Sequence, residues 1–333
     1  MLDLKGKRVL VTGGAGFIGS HIVDSLCDEG CSEIVALDNM ATGRPENLRR
    51  SLNRGPVRLV RGDLRDTKLV EALVRGANII FHHAAPCSAD CLAEPRLAME
   101  VMVNGTFDLL ELCVKYDVEK IVAASSASVY GVAEEFPTTE HQNPYGNRTV
   151  YGTAKACNEG LLRAFNDMHG LDYIALRYFD VYGSRMDVHG RYAEMLIRWM
   201  EELEAGTPPV IVDHDQQTVD LVHVRDAARA TILAARAKVS DEVFNVGSGI
   251  ETTLVQLASA LASVMGHDGM LPQIAPEHSI NPIQRRVAST GKLERLLGFQ
   301  ATVPLELGLT EFVKWWRSER GLATARHRQA LAS

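Results

Sequence analysis

The chain has 333 residues, 46% hydrophobic and 23% charged, which suits one large globular domain or a domain with a smaller partner and excludes disorder as a whole. A formal charge of -7 speaks against nucleic-acid binding, because neutralising phosphates takes Lys and Arg in clustered excess. The first residues run into a strand without an apolar h-region and no later apolar run approaches membrane-spanning length, so a cytoplasmic protein without a membrane partner is expected.

From residue 7 to about 180, short β-branched runs alternate with helical patterns. Strands are predicted at 8–12, 34–38, 57–60, 78–81, 120–124 and 173–177, and nearly all their residues are apolar, as in strands buried on both faces of a parallel sheet. Between the first two, Ile18, Ile22 and Leu26 recur at helical spacing and Gly30 is a stop signal; Leu69, Val70, Leu73 and Val74 make a similar face before Gly76. The expected class is α/β, a doubly wound parallel Rossmann sheet with a smaller C-terminal α/β substrate domain. Beyond 180 the order loosens, with a helix predicted over 192–203 and a turn at Pro208-Pro209. The division is placed at 1–180 and 181–320, with 220–237 and 243–247 as segments that return to the first domain and 321–333 as a frayed helix or loose tail.

Residues 12–20 read Thr-Gly-Gly-Ala-Gly-Phe-Ile-Gly-Ser between the first strand and the first helix. Gly14, Gly16 and Gly19 satisfy G-x-G-x-x-G in the strand-to-helix context that pattern needs: a tight turn, backbone that approaches a pyrophosphate, and a helix packed closely on its strand. The helix N-terminus then supplies the anion site. Asp38 ends the second strand about twenty residues on, where a carboxylate accepts hydrogen bonds from the adenosine ribose and repels a 2'-phosphate, so NAD is expected rather than NADP. Arg44 lies close enough in sequence to keep NADP open. Asp63, after the third strand, is a candidate adenine contact; alone it reads as an ordinary charged turn.

Six cysteines in a chain this long read as reduced thiols. His82, His83, Cys87, Asp90 and Cys91 could supply metal ligands, but the three-residue gap between the cysteines is not a usual zinc-ribbon spacing, and no metal is expected. The stretch Asp213 to Gln217 could imitate a metal or acid–base site and reads better as a turn. Residues 132–149, with Pro137 and Pro144, read equally as a cover over a substrate or as a plain surface loop.

Tyr151 and Lys155 lie one turn apart in a segment whose Ala154, Leu161, Leu162 and Phe165 mark a helix packed on the sheet. An ammonium near a phenol favours the phenolate, which makes Tyr151 a candidate general base near neutral pH. A rival pair, Tyr116 and Lys120, straddles a helix end and a strand start, so its side chains need not share a face. The run Ser125-Ser-Ala-Ser-Val-Tyr-Gly131 ends the fifth strand, where such sheets bind ligands, and a serine there could hydrogen-bond a reacting sugar oxygen.

These motifs, with Asp38-Asn39, Gly62-Asp63-Leu64, His82-His83-Ala84-Ala85, Asn104-Gly105-Thr106, Leu176-Arg-Tyr-Phe179, 220–226 and Phe244-Asn-Val-Gly-Ser-Gly249, give the chain a resemblance over nearly its whole length. It resembles an extended short-chain dehydrogenase/reductase of the nucleotide-sugar epimerase and dehydratase group, closest in its motifs to UDP-hexose 4-epimerases. The resemblance implies Ser126, Tyr151 and Lys155 as catalytic residues. It implies cofactor contacts at Gly13, Gly16, Phe17, Ile18, Gly19, Asp38, Asn39, Asp63, Leu64, Ala84, Ala85, Asn104, Tyr151, Lys155 and Tyr178. Candidate substrate contacts are Ser126, Ser128, Asp180, Arg185, Arg191 and Arg286.

The implied reaction is a 4-epimerisation of a nucleotide-sugar, with NAD retained and a transient 4-keto sugar that turns over in the site. The related 4,6-dehydratases carry an Asp-Glu pair where this chain has Ala127-Ser128, which makes dehydratase the weaker reading. Two further readings stand beside it: a 4-ketoreductase, which needs added reductant, and an NAD-binding sensor with a vestigial site. Three positions depart from the family pattern: Asp180 in place of Asn, Val219 in place of a phosphate-holding Arg, and Ser289 in place of Asp. The resemblance further implies a homodimer through helices at 95–115 and 151–168, whose apolar stripes are equally consistent with packing on the sheet alone.

Overall fold

The computed structural model describes residues 2–188, 195–212, 217–275 and 285–330, with backbone alone from 322. Strand β1 (Arg8–Thr12) runs into α1 (Phe17–Asp28) and returns as β2 (Glu33–Asp38). Then come α2 (Arg49–Arg54), β3 (Val57–Arg61), α3 (Thr67–Val74) and β4 (Ile79–His82). Short helices α4 (Ser88–Ala93) and α5 (Pro95–Ala98) pass through a π-helical turn (Met99–Asn104) into α6 (Gly105–Lys115), β5 (Lys120–Ser126), α7 (Val150–His169), β6 (Tyr173–Tyr178) and β7 (Asp180–Tyr182). The C-terminal part holds α8 (Met195–Glu204), β8 (Val210–Val212), β9 (Thr218–Val219), β10 (Leu221–His223), α9 (Val224–Arg236), β11 (Glu242–Val246), β12 (Thr252–Thr253), α10 (Leu254–Met265), β13 (Gln273–Ala275), α11 (Gly291–Leu297) and α12 (Leu305–Ala330).

Seven strands form one parallel sheet in the order β11-β6-β5-β4-β1-β2-β3. Their apolar side chains divide between two layers because successive residues of a strand face opposite sides. Val9, Val11, Ala36 and Phe81 meet Ile22 of α1 and Ala228 and Ile232 of α9; Leu10, Val35 and Ile80 meet Leu73, Leu109 and Phe165 on the other side. Each such fully buried side chain contributes about 1.5–3 kcal/mol of transfer free energy. The order reverses between β1 and β4, which opens a crevice at their carboxyl ends, the usual ligand position in such sheets.

The six strands expected from sequence are present with ends within two residues of those predicted. The segment at 243–247 supplies β11 at the sheet edge beside β6, and α9 packs on α1. A further core of Tyr182, Trp199, Leu257, Phe312 and Trp316 lies off the sheet, among helices α8, α10 and α12. The helix expected over 192–203 is α8, and α12 stays helical through Ala330, where a frayed or loose end was equally expected.

Candidate active site

The glycine loop is shaped from within. Gly13 has φ +68, and a Cβ there would come within 2.9 Å of the backbone of His83 and Ala84, after β4. A Cβ on Gly19 would overlap Gly13 O, so the first turn of α1 lies directly on the loop. Gly16 differs: a Cβ there meets only Gly13 O at 3.2 Å, so its outer side faces open space. Helix α1 begins at Gly16 with no side-chain cap, leaving the first-turn N–H groups of Phe17 and Ile18 as donors without a capping acceptor. This uncapped helix start behind a bare glycine fits a pyrophosphate.

Asp38 is fixed by the same loop. Its Oδ2 accepts from Ala15 N at 2.9 Å and its Oδ1 from Met40 N at 2.9 Å, while burial pushes its pKa up against those bonds. Asn39 donates to Asp63 at 3.2 Å, and Arg65 donates to both Asp63 oxygens at 2.8 and 3.0 Å, holding that carboxyl well below the usual carboxylate range. Arg44 extends to 4.0 Å from Glu319 on α12. Ala84 N donates to Thr12 Oγ1 at 3.2 Å, and Ala85 is half-buried.

Two expected cofactor side chains stand differently. Leu64 is buried in the core on the α6 side, and Tyr178 is buried with its phenol shared between Thr231 at 2.6 Å and His83 at 3.1 Å. Both are core residues whose side chains are already committed, because the ends of strands continue the alternation of the core. Asn104 is exposed at the end of the π-helical turn.

Thr149 caps α7, its Oγ1 accepting from Gly152 N at 3.1 Å, so the helix starts one residue before Tyr151. Lys155, a turn later, is buried; its Nζ donates to Ala124 O at 2.6 Å and lies 5.7 Å from the Tyr151 ring centroid. Burial lowers its pKa to about 8. Because Ala124 lies two residues before Ser126 on β5, this one bond seats the catalytic helix beside the serine. Ser126 Oγ accepts from Ser128 N at 3.1 Å, which leaves its own proton for a ligand oxygen. The rival pair points apart: Lys120 Nζ donates to Ala237 O and Val239 O inside the core, whereas the Tyr116 hydroxyl donates to Glu71.

Several residues at the site have contacts that no local spacing announces. A Cβ on Gly152 would lie 2.5 Å from Ser128 O, so the first turn of α7 packs directly on the serine turn. Glu159, one turn beyond Lys155, takes two bonds from Arg177, at 2.9 and 2.6 Å, both side chains nearly buried. Arg177 also donates to the Tyr130 hydroxyl at 2.9 Å, Tyr130 donates to Asn245 Oδ1 at 2.6 Å, and Asn245 N donates to Glu140 at 2.9 Å. Loop 132–149 is thereby tied to the catalytic helix. Its far side is tied by Thr138 N to Val287 O at 2.8 Å and Ser289 N to Thr138 O at 2.9 Å, beside Arg286.

The expected substrate residues divide. Arg286 Nη1 donates to Asp180 Oδ1 at 3.0 Å, while Asp180 Oδ2 is buried without a hydrogen-bond partner. Arg185 does not join them: it pairs with Asp24 on α1 at 2.6 Å. Val219 is buried in the second core, and Arg191 and most of the stretch from Asp213 to Gln217 lie outside the described residues. His82 shares bonds with Thr12 at 2.8 Å and Thr106 at 2.9 Å, and Cys87 is bonded to Asp90. Among the described residues no cluster of His, Cys, Asp and Glu could hold a metal ion, and no helix is long and apolar enough to cross a membrane.

Residues 9–247 match the NAD dependent epimerase/dehydratase family. The UDP-glucose 4-epimerase of Mycolicibacterium smegmatis is 33% identical over 315 residues, 94% of this chain and 99% of that one. The crystal structure of UDP-glucose 4-epimerase from Thermotoga maritima with UDP-glucose superposes with a TM-score of 0.86 at 33% identity, covering 94% of this chain and 99% of that chain. That of Thermus thermophilus UDP-glucose 4-epimerase in complex with NAD gives 0.80 at 34% identity, covering 93% and 99%. A glycine cradle at an uncapped helix start, a carboxylate fixed by the same loop, and a lysine bonded to β5 a turn after a tyrosine agree with that match, and the chain belongs to the NAD dependent epimerase/dehydratase family.

Proposed function

We propose that the chain is a nucleotide-sugar 4-epimerase acting on a UDP-hexose. One observation carries the reading: Ser126, Tyr151 and Lys155 converge at the carboxyl end of β5, with no carboxylate at Ala127 or Ser128 to eliminate water. NAD, held at the glycine loop, would supply the chemistry of a reversible hydride acceptor for C4 of the sugar. Tyr151 accepts the proton of the C4 hydroxyl as that carbon is oxidised and gives it back on reduction. The Lys155 ammonium stabilises the phenolate, and Ser126 donates to the same sugar oxygen. NAD would be held by the N–H groups of Phe17 and Ile18 and by Asp38, whose charge disfavours a 2'-phosphate.

The remaining assignments have different support. A cofactor half of residues 1–180 with 220–247, and a substrate half of the rest to 320, are supported by a separate core off the sheet, although Leu293 and Phe299 pack with the sheet's own core. A homodimer is supported by exposed Met99, Phe107, Val150 and Met168 on the helices at 95–115 and 150–169. An open groove of about 670 Å³ lies there, lined by Arg96, Met99, Arg148 and Val150, on the outer face of α7 and away from Lys155.

Proton NMR of the purified protein with UDP-, GDP- and dTDP-hexoses, without added cofactor, tests the activity. A mixture of C4 epimers reached from both directions is expected, with NAD in the denatured supernatant. Turnover that consumes added NADH or NADPH in stoichiometric amount identifies a reductase instead, and no turnover of any sugar identifies a vestigial site.

A further inference from the structure

The least settled polar group on the substrate side is Asp180. It opens β7, two residues beyond Tyr178, whose register partner on β5 is Ser126. Phe179, between them, packs with Ala127, Val129 and Ala288, and Asp180 itself reaches the 285–289 segment through Arg286. One carboxylate oxygen is used, since Oδ1 takes the bond from Arg286. The other, Oδ2, has no hydrogen-bond partner although it is buried. An unsatisfied buried acceptor costs free energy, and a group kept that way at the edge of a site is a place where a ligand completes the bonding.

The pair also decides what kind of ligand group fits. Arg285 is spent on Glu251 at 2.6 and 2.8 Å, Arg185 on Asp24, and Val219 offers no charge, so Arg286 faces this region already half neutralised. A carboxylate oxygen accepts only, so the group that meets it must donate. Phosphate oxygens at neutral pH do not.

Resting on the reading of the site as one for a nucleotide-sugar, we propose that Asp180 sets substrate choice: Oδ2 receives a hydrogen bond from a hydroxyl or amino group of the sugar, while Oδ1 keeps Arg286 aimed. Asparagine in its place keeps the shape and an oxygen for Arg286, but turns an amide N–H toward the sugar donor. Both partners of the ion pair are about a quarter exposed, at 25% and 27%, so the exchange costs the fold little.

The test is calorimetric titration of wild-type and Asp180→Asn holoenzyme with UDP-glucose, UDP-galactose and UDP, together with the melting temperature of each protein without substrate. The variant should lose roughly ten- to hundred-fold in affinity for at least one UDP-hexose, the loss expected for a bond to a charged group. UDP should bind both proteins alike, and the melting temperature should fall by no more than about 3 °C. Equal weakening of UDP and UDP-hexose, tighter binding of both, or unchanged binding overturns the proposal. If wild-type protein binds neither UDP-hexose, the nucleotide-sugar reading fails separately, and the melting temperature decides. A fall beyond that limit then marks Asp180 as a structural anchor and overturns the proposal, whereas no such fall keeps Oδ2 as a ligand-facing atom.

Discussion

The cofactor half and the substrate half hold their polar groups in opposite ways. Around the glycine loop the holders are largely backbone: Ala15 and Met40 amides on Asp38, Ala124 O on Lys155, and α1 N–H groups left for a pyrophosphate. Around Asp180 they are side chains meeting side chains, Arg286 with Asp180 and Arg285 with Glu251, partly exposed and incompletely satisfied. Backbone geometry suits a ligand that is the same in every turnover. Exchangeable side-chain pairs suit the part of a family that varies with the sugar.

The sharpest way to break this contrast is at the tyrosine. Tyr151→Phe removes the proposed proton carrier but leaves the glycine loop, Asp38 and Lys155 in place, so turnover should fall by roughly 10²–10⁴, the usual worth of a positioned acid–base group. NAD should remain in the denatured supernatant. Activity near that of wild type would show that the base lies elsewhere.

A second change tests whether the two halves are mechanically joined. Arg177→Met leaves Glu159 buried with only the Ser125 hydroxyl as donor and Tyr130 without its donor. Breaking a buried pair on one side costs about 3–5 kcal/mol, measurable by denaturant unfolding. Converting both members, Arg177→Met with Glu159→Leu, should recover part of that stability. A loss below about 1 kcal/mol for the single variant would show that the network is not closely packed.

How far the sequence can be read follows the same division. The loop at 12–20, Asp38 and the Tyr151–Lys155 pair are short-range spacings with a chemical reason, so they stand out in one chain. The Tyr130–Asn245 bond spans 115 positions and the Arg185–Asp24 pair 161, and no local spacing announces either. Arg185 shows why: an arginine near a substrate segment reads as a ligand contact, and its partner on a distant helix is seen only in the fold. Tyr178 is ambiguous in the sequence because a strand-end residue can serve a cofactor or the core, and its bonds to Thr231 and His83 are long-range. The strand β11 can be anticipated from its apolar run, but the two-residue strands β9 and β12 are too short to leave a period.

The pH dependence separates the buried ammonium from the rest of the site. Lys155 ionises near pH 8 in the fold, below its ordinary value, because burial disfavours its charge. Between about pH 8 and the ordinary lysine value the unfolded chain holds this proton and the fold does not, so Lys155 destabilises the fold below that window and the penalty is relieved as pH rises through it. Turnover should move the other way. As the ammonium is lost above about pH 8 the phenolate loses its stabilising charge, and kcat should decline. A kcat that climbs steadily to pH 10 would sever Lys155 from the chemistry.

The smallest effect lies where the halves meet. Thr149 caps α7 two residues before Tyr151, from a loop whose other side is bonded to the segment carrying Arg286. Thr149→Ala should cost about 1 kcal/mol, the usual worth of a lost N-cap, seen as a lower denaturant midpoint with unchanged m. Lys155 enters the sheet a turn and a half further on and is held there by Ala124 O, so NAD retention should not change. The frayed first turn carries Tyr151, so kcat should fall modestly while the midpoint of the alkaline limb stays near 8. If that midpoint moves with the cap, the start of the helix and the lysine are one unit, and the line between the halves falls before residue 149 instead of along the helix.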